Sequence, residues 1–91
     1  PTGKNAANAR YWLGQIFNVQ NQLEDADTQF KLVVTQFPDS AKAHEALLKL
    51  GEIAKKRGLN DAAKGYFQKV LQQYPDSPSA RVAQQKLQEL K

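Results

Sequence analysis

The 91 residues suffice for one small domain or two to three short repeats, and the 41% apolar content supports a modest core. No apolar run nears the ~20 residues a membrane-crossing helix needs. The absence of cysteine excludes disulfides, thiolate metal sites and thiol nucleophiles. The net charge of +4 is uneven. Residues 1–43 balance Lys4, Arg10, Lys31 and Lys42 against Glu24, Asp25, Asp27 and Asp39, so the excess lies in residues 44–91. No aromatics interleave with those lysines as a base-stacking platform requires, so the charge reads as a solvated helical face and no nucleic-acid partner is expected.

In chain order, Pro1-Thr2-Gly3-Lys4-Asn5 lacks the apolar stretch of a signal peptide. Ala9, Leu13, Ile16 and Phe17 then recur at three and four residues, predicting a helix over 4–20. Asn21 is placed to end it in a left-handed cap. Ala26, Phe30, Val33, Val34 and Phe37 predict a second helix over 23–37, with Glu24, Asp25 and Asp27 complementing the dipole at its start. Ser40 is expected to cap a third helix over 41–57, apolar at Ala46, Leu47, Leu50, Ile53 and Ala54 and ended by Gly58. Lys55-Lys56-Arg57 complements the negative end of its dipole. Ala63, Phe67, Val70, Leu71 and Tyr74 mark a fourth helix over 60–74. Ser77-Pro78, an N-cap with proline at the first helical position, opens a fifth over 78–90. No segment alternates with period two, so the fold is expected to be all-α.

The five helices are two copies of one unit and the start of a third. Pro1, Pro38 and Pro75 are spaced by 37, and the same offset links Gly14 to Gly51, Phe30 to Phe67 and Leu13 to Leu50 to Leu87. Phe37-Pro38-Asp39-Ser40 returns as Tyr74-Pro75-Asp76-Ser77. Such self-similarity predicts a solenoid of antiparallel helix pairs: one repeat over about 4–38, one over about 41–75, and a C-terminal helix over about 78–90. Because Pro1 matches the closing proline of each unit, the chain is expected to start where a preceding repeat would finish.

These residues resemble the tetratricopeptide repeat (TPR), whose pattern is a large residue, Leu-Gly, an aromatic, Ala, a second aromatic and a closing Pro. The first unit supplies Leu13, Gly14, Phe17, Ala26, Phe30 and Pro38; the second supplies Leu47, Leu50, Gly51, Ala63, Phe67 and Pro75. Arg10 and Ala54 depart from the pattern, at the places of a tryptophan and an aromatic. The period of 37 is three longer than usual, and together with Tyr11-Trp12-Leu13-Gly14-Gln15 it resembles the C-terminal repeat domain of the YbgF/CpoB family, Tol–Pal-associated coordinators of cell division. That resemblance implies a periplasmic, non-catalytic adaptor that binds an envelope protein such as TolA. Other readings are a repeat domain of an outer-membrane assembly or secretion lipoprotein, a purely oligomerising module, and a regulatory piece of a larger enzyme.

A solenoid binds through the concave face lined by the first helix of each pair. The family's groove positions fall on Asn8, Tyr11, Gln15, Asn18 and Val19, on Glu45, Leu48, Glu52, Lys55 and Lys56, and on Val82, Gln85 and Glu89. This polar, amide-rich set suits a peptide or helix partner. Trp12, whose equivalents are Lys49 and Lys86, reads either as a binding hot spot or, with Ala9 and Ile16, as a face that packs on a preceding repeat; with that neighbour absent, self-association through the first helix is expected. His44 has no partner set for a metal and no catalytic constellation. No enzyme activity and no cofactor are expected.

Overall fold

A computed structural model describes residues 2–90, with side chains described from residue 5 onward. Five helices follow in order: α1 Thr2–Val19, α2 Leu23–Gln36, α3 Ala43–Lys56, α4 Asn60–Gln73 and α5 Pro78–Glu89, with no strand among the described residues. α1 packs on α2 and α3 on α4; α2 and α4 each also pack on the next pair's first helix. Contacts of α3 with α1 and α5 line up the first helices on one side. The fold is the expected all-α solenoid of antiparallel helix pairs.

Each pair closes on a glycine facing a phenylalanine. A Cβ at Gly14 would lie 2.8 Å from Phe30 Cε1, and one at Gly51 2.5 Å from Phe67 Cε1, so only glycine admits the rings. Phe30 and Phe67 are fully buried and sit in one core with Ala26, Val33, Leu47, Leu50, Ile53, Ala63 and Val70. Burying a phenylalanine contributes about 1.5–3 kcal/mol over leaving it exposed, so these two rings anchor their units.

The turns inside the pairs share one design. Gln22 N–H donates to Phe17 O and Asn21 N–H to Asn18 O, at 2.8 and 3.0 Å. Leu59 to Ala54 and Gly58 to Lys55 repeat these bonds at 2.9 and 3.0 Å. This is the paired-bond Schellman cap, which needs a left-handed residue, and Asn21 (φ 62°) and Gly58 (φ 77°) supply it as expected.

The turns between pairs depart from expectation at the serines. Phe37 and Tyr74 end α2 and α4, because Pro38 and Pro75 cannot continue a helix. Ser77 stands at the N-cap of α5, but its hydroxyl donates back to Tyr74 O at 2.7 Å instead of capping. Ser40 is not a cap: α3 starts at Ala43 with Lys42 ahead of it, not at residue 41, and the buried Ser40 Oγ has no hydrogen-bond partner. The difference follows from the next residue. Pro78 fixes its own φ at a helical value and starts α5 at once, whereas Ala41 imposes nothing.

Among the described side chains of α1, Ala7, Tyr11 and Gly14 are buried; Leu13 and Phe17 are half-buried, and Ala9 and Ile16 are exposed.

Candidate functional site

α1, α3 and α5 position the groove. Between them lies a shallow cleft of about 340 Å³ whose lining includes Tyr11, His44, Leu48, Lys49, Ser79 and Val82. Of the expected positions, Tyr11, Glu45, Leu48 and Val82 meet here. Tyr11 differs from the exposed contact residue that its place implied. It is 3% exposed, packs edge-on against Phe30 with ring centroids 5.5 Å apart, and donates its hydroxyl to Glu45 Oε2 at 3.2 Å. Burial, and then the Glu45 carboxylate, push the Tyr11 phenol up to about 12. Tyr11 is therefore a wall of the cleft, held neutral and fixed in direction.

The remaining expected residues spread along the face. Asn8 lines a separate cleft of about 620 Å³ against the loop from Phe37 to Lys42. Asn18 accepts a hydrogen bond from Lys56 Nζ at 3.1 Å, Glu52 lies 3.7 Å from Lys49, and Lys55 bonds Glu89 at 3.3 Å. Gln15 is half-buried without a side-chain partner, Val19 is exposed, and Gln85 lies with Gln84 and Gln88. The groove thus has an aromatic and aliphatic end at Tyr11, Leu48 and Val82, and an end of mixed charge at Asn18, Lys55 and Glu89.

Lys55, Lys56 and Arg57 do more than complement the α3 dipole. They reach Glu89 of α5, Asn18 of α1 and Glu24 of α2, the last at 3.7 Å. At these exposed sites each contact contributes well under about 1 kcal/mol, so they set orientation more than stability.

Two groove residues escaped the sequence reading. His44 shares a 2.7 Å hydrogen bond between Nδ1 and Ser79 Oγ, tying α3 to α5 inside the cleft. Lys42 sets its ammonium 4.9 Å from the Tyr11 ring centroid and 5.3 Å from that of Trp12, within cation–π range. Its place three residues before Glu45 hinted at the ion pair they form at 3.8 Å, but nothing local marked the aromatic contact. Trp12 is 54% exposed and packs edge-on against Tyr11 at 5.3 Å, which puts it on the rim between the groove and the outer face of α1.

Among the described residues no cluster of three or more His, Cys, Asp or Glu is placed to hold a metal ion, and no helix is long and apolar enough to cross a membrane. A family model described as tetratricopeptide repeat matches residues 8–40 and again 45–77. A search of curated proteins returned no match to the chain.

Proposed function

Because the chain belongs to the tetratricopeptide repeat family, whose members serve as protein–protein interaction modules, we propose that its concave cleft holds an extended or helical protein segment. The observation that carries this reading is the cleft formed by Tyr11, Leu48 and Val82 from three successive first helices. It offers an apolar floor with a fixed aromatic wall, flanked by Glu45, Lys49 and His44 as orienting polar groups. That is the make-up of a peptide site, with a few apolar anchors giving affinity and a polar rim giving register. The work of such a module is adaptor work, without chemistry of its own.

The partner in this reading is an envelope protein of the TolA kind, and the setting is the periplasm, within a Tol–Pal-associated coordinator of cell division. The 37-residue period and the Tyr11-Trp12-Leu13-Gly14-Gln15 segment support it. Titration of the chain with TolA-like segments tests it, with Leu48→Ala and Gln15→Ala as probes. Truncating an anchor at the centre of an interface typically costs over 1 kcal/mol. Leu48→Ala should weaken binding about tenfold and Gln15→Ala less. Unchanged affinity in both variants would remove the groove assignment. Binding to segments of other envelope proteins alone would move the chain to an assembly or secretion lipoprotein.

A further inference from the structure

The turn between α2 and α3 bears a larger cleft than the turn between α4 and α5, and one residue separates them. By the 37-residue offset, Phe37, Ser40, Ala41 and Lys42 correspond to Tyr74, Ser77, Pro78 and Ser79. On the second turn this ground is covered from within the chain. The His44 ring lies 6.4 Å from the Tyr74 ring, a spacing usual for paired aromatics, and its Nδ1 is 2.7 Å from Ser79 Oγ. The cleft that is left there, about 340 Å³, is lined by Pro78 and Ser79 but by none of residues 73–77. At the place of His44 the first unit has Ala7, whose methyl lays no ring over Phe37. The cleft on that turn holds about 620 Å³, and its described lining runs from Gln36 to Lys42, with Asn8 of α1 opposite.

The lining sets the chemistry of an occupant. Half-buried Phe37, with Pro38 and Ala41, supplies apolar surface for a ring. The half-buried Asn8 and Ser40 line the same cleft, and the Ser40 hydroxyl oxygen is buried without a hydrogen-bond partner. Staggered rotamers let that hydroxyl re-aim when a partner arrives. Asp39 and Lys42 add one charge of each sign, which favours a neutral occupant over an ion of either sign. Lys42 also ties this cleft to the groove. Its ammonium lies 4.9 Å from the Tyr11 ring centroid and 3.8 Å from Glu45, and both of those residues line the groove cleft.

We propose, building on the groove reading, that the cleft between Asn8 and the Phe37–Lys42 turn takes a neutral aromatic side chain with a polar edge, of the tyrosine type, from the protein segment held in the groove. Its ring lies on Phe37 and Pro38 as His44 lies on Tyr74. Its hydroxyl meets the Asn8 amide and the Ser40 hydroxyl. An aliphatic side chain leaves those two polar groups unmet, and a lysine or carboxylate meets a like charge at Lys42 or Asp39.

The test titrates the whole chain with N-acetyl-tyrosinamide and with its phenylalanine, leucine and lysine counterparts, following the backbone amide NMR signals of Asn8, Asp39, Ser40 and Lys42. The tyrosine probe should shift these signals and saturate. The phenylalanine probe should bind about fivefold more weakly, the worth of one hydrogen bond. Asn8→Leu combined with Ser40→Ala should erase that preference and leave the phenylalanine probe bound. Ala41 is exposed and precedes α3, so Ala41→Trp should keep the fold, fill the cleft and weaken both aromatic probes about tenfold or more. A leucine or lysine probe that binds as well as tyrosine would overturn the proposal. So would a tyrosine preference that survives the Asn8→Leu and Ser40→Ala pair, or shifts of the same signals that grow with protein concentration alone, which would give the cleft to a second copy. If the tyrosine probe fails while TolA-like segments still bind, the aromatic site falls and the groove stands. If the probe saturates and no segment binds, the groove reading falls and the cleft keeps its aromatic preference.

Discussion

Gly51→Ala isolates the contact that closes each helix pair. The new methyl would lie 2.5 Å from Phe67 Cε1 and 2.7 Å from Cδ1, where ordinary contact starts near 3.4 Å, so ring and helix must separate by close to 1 Å. Phe67 is fully buried, so its ring cannot swing out into solvent without opening the core. Overpacking of this kind costs about 1–3 kcal/mol. Alanine in a helix interior returns about 0.5–1 kcal/mol over glycine. The net expectation is a loss of about 0.5–2 kcal/mol, read as a lower urea midpoint by circular dichroism at 222 nm. Gly65 is the internal control. It lies inside α4 with nothing within 4 Å of the place a Cβ would take, so Gly65→Ala should stabilise by about 0.5–1 kcal/mol. Phe67→Leu should relieve Gly51→Ala, so the double variant should be more stable than the sum of the singles predicts. Gly14→Ala should cost less than Gly51→Ala, because its clash with Phe30 is milder at 2.8 Å. If Gly51→Ala and Gly65→Ala move the midpoint alike, the close approach does not govern packing and the reasoning fails.

Further outcomes follow from the turns and the groove. Ser40→Ala removes a buried hydroxyl that has no partner, so it should be neutral or stabilise by up to about 1 kcal/mol in the same denaturation assay. Gly58→Ala places a side chain at φ 77° and should cost about 1–2 kcal/mol, while Asn21→Gly at φ 62° should be neutral or slightly stabilising. Tyr11 is held in its neutral form by burial and by Glu45, with its phenol raised to about 12. The folded pKa lies above the unfolded value near 10, so this contribution is complete below pH 10 and is lost as pH rises through 12. Tyr11→Phe should flatten the alkaline fall in stability over that window and lower stability at pH 7 by about 0.5–1.5 kcal/mol; an unchanged alkaline profile would count against the burial of the Tyr11 phenol beside Glu45.

The helices, their pairing and both left-handed caps were legible because each rests on a local signal that the second unit repeats. Gly14 and Phe30 lie far apart in sequence, yet the offset to Gly51 and Phe67 marked both as parts of one closure. Periodicity identifies an apolar stripe, but whether Ile16 is covered depends on a neighbouring helix, and Ile53 shows what the same residue does when one is present. Tyr11 was misplaced for a related reason. Its equivalent Leu48 sits half-buried in the groove, but the Tyr11 ring leans back onto Phe30 and leaves little of itself exposed. Lys42 meets Tyr11 31 residues away and His44 meets Ser79 35 away, beyond the reach of any local spacing rule. Ser40 and Ser77 occupy matching places, and only the ring constraint of Pro78 separates their roles.

The Tyr74 hydroxyl donates to Pro38 O at 2.7 Å, joining one inter-repeat turn to the next. Mechanically this is a strut along the edge of the array. It fixes the distance between successive corners and thus the rise and curvature of the superhelix at that junction. Phe37, the equivalent residue one unit earlier, has no hydroxyl with which to build another. The braced edge therefore spans the second helix pair, from the turn that closes α2 to the turn that closes α4.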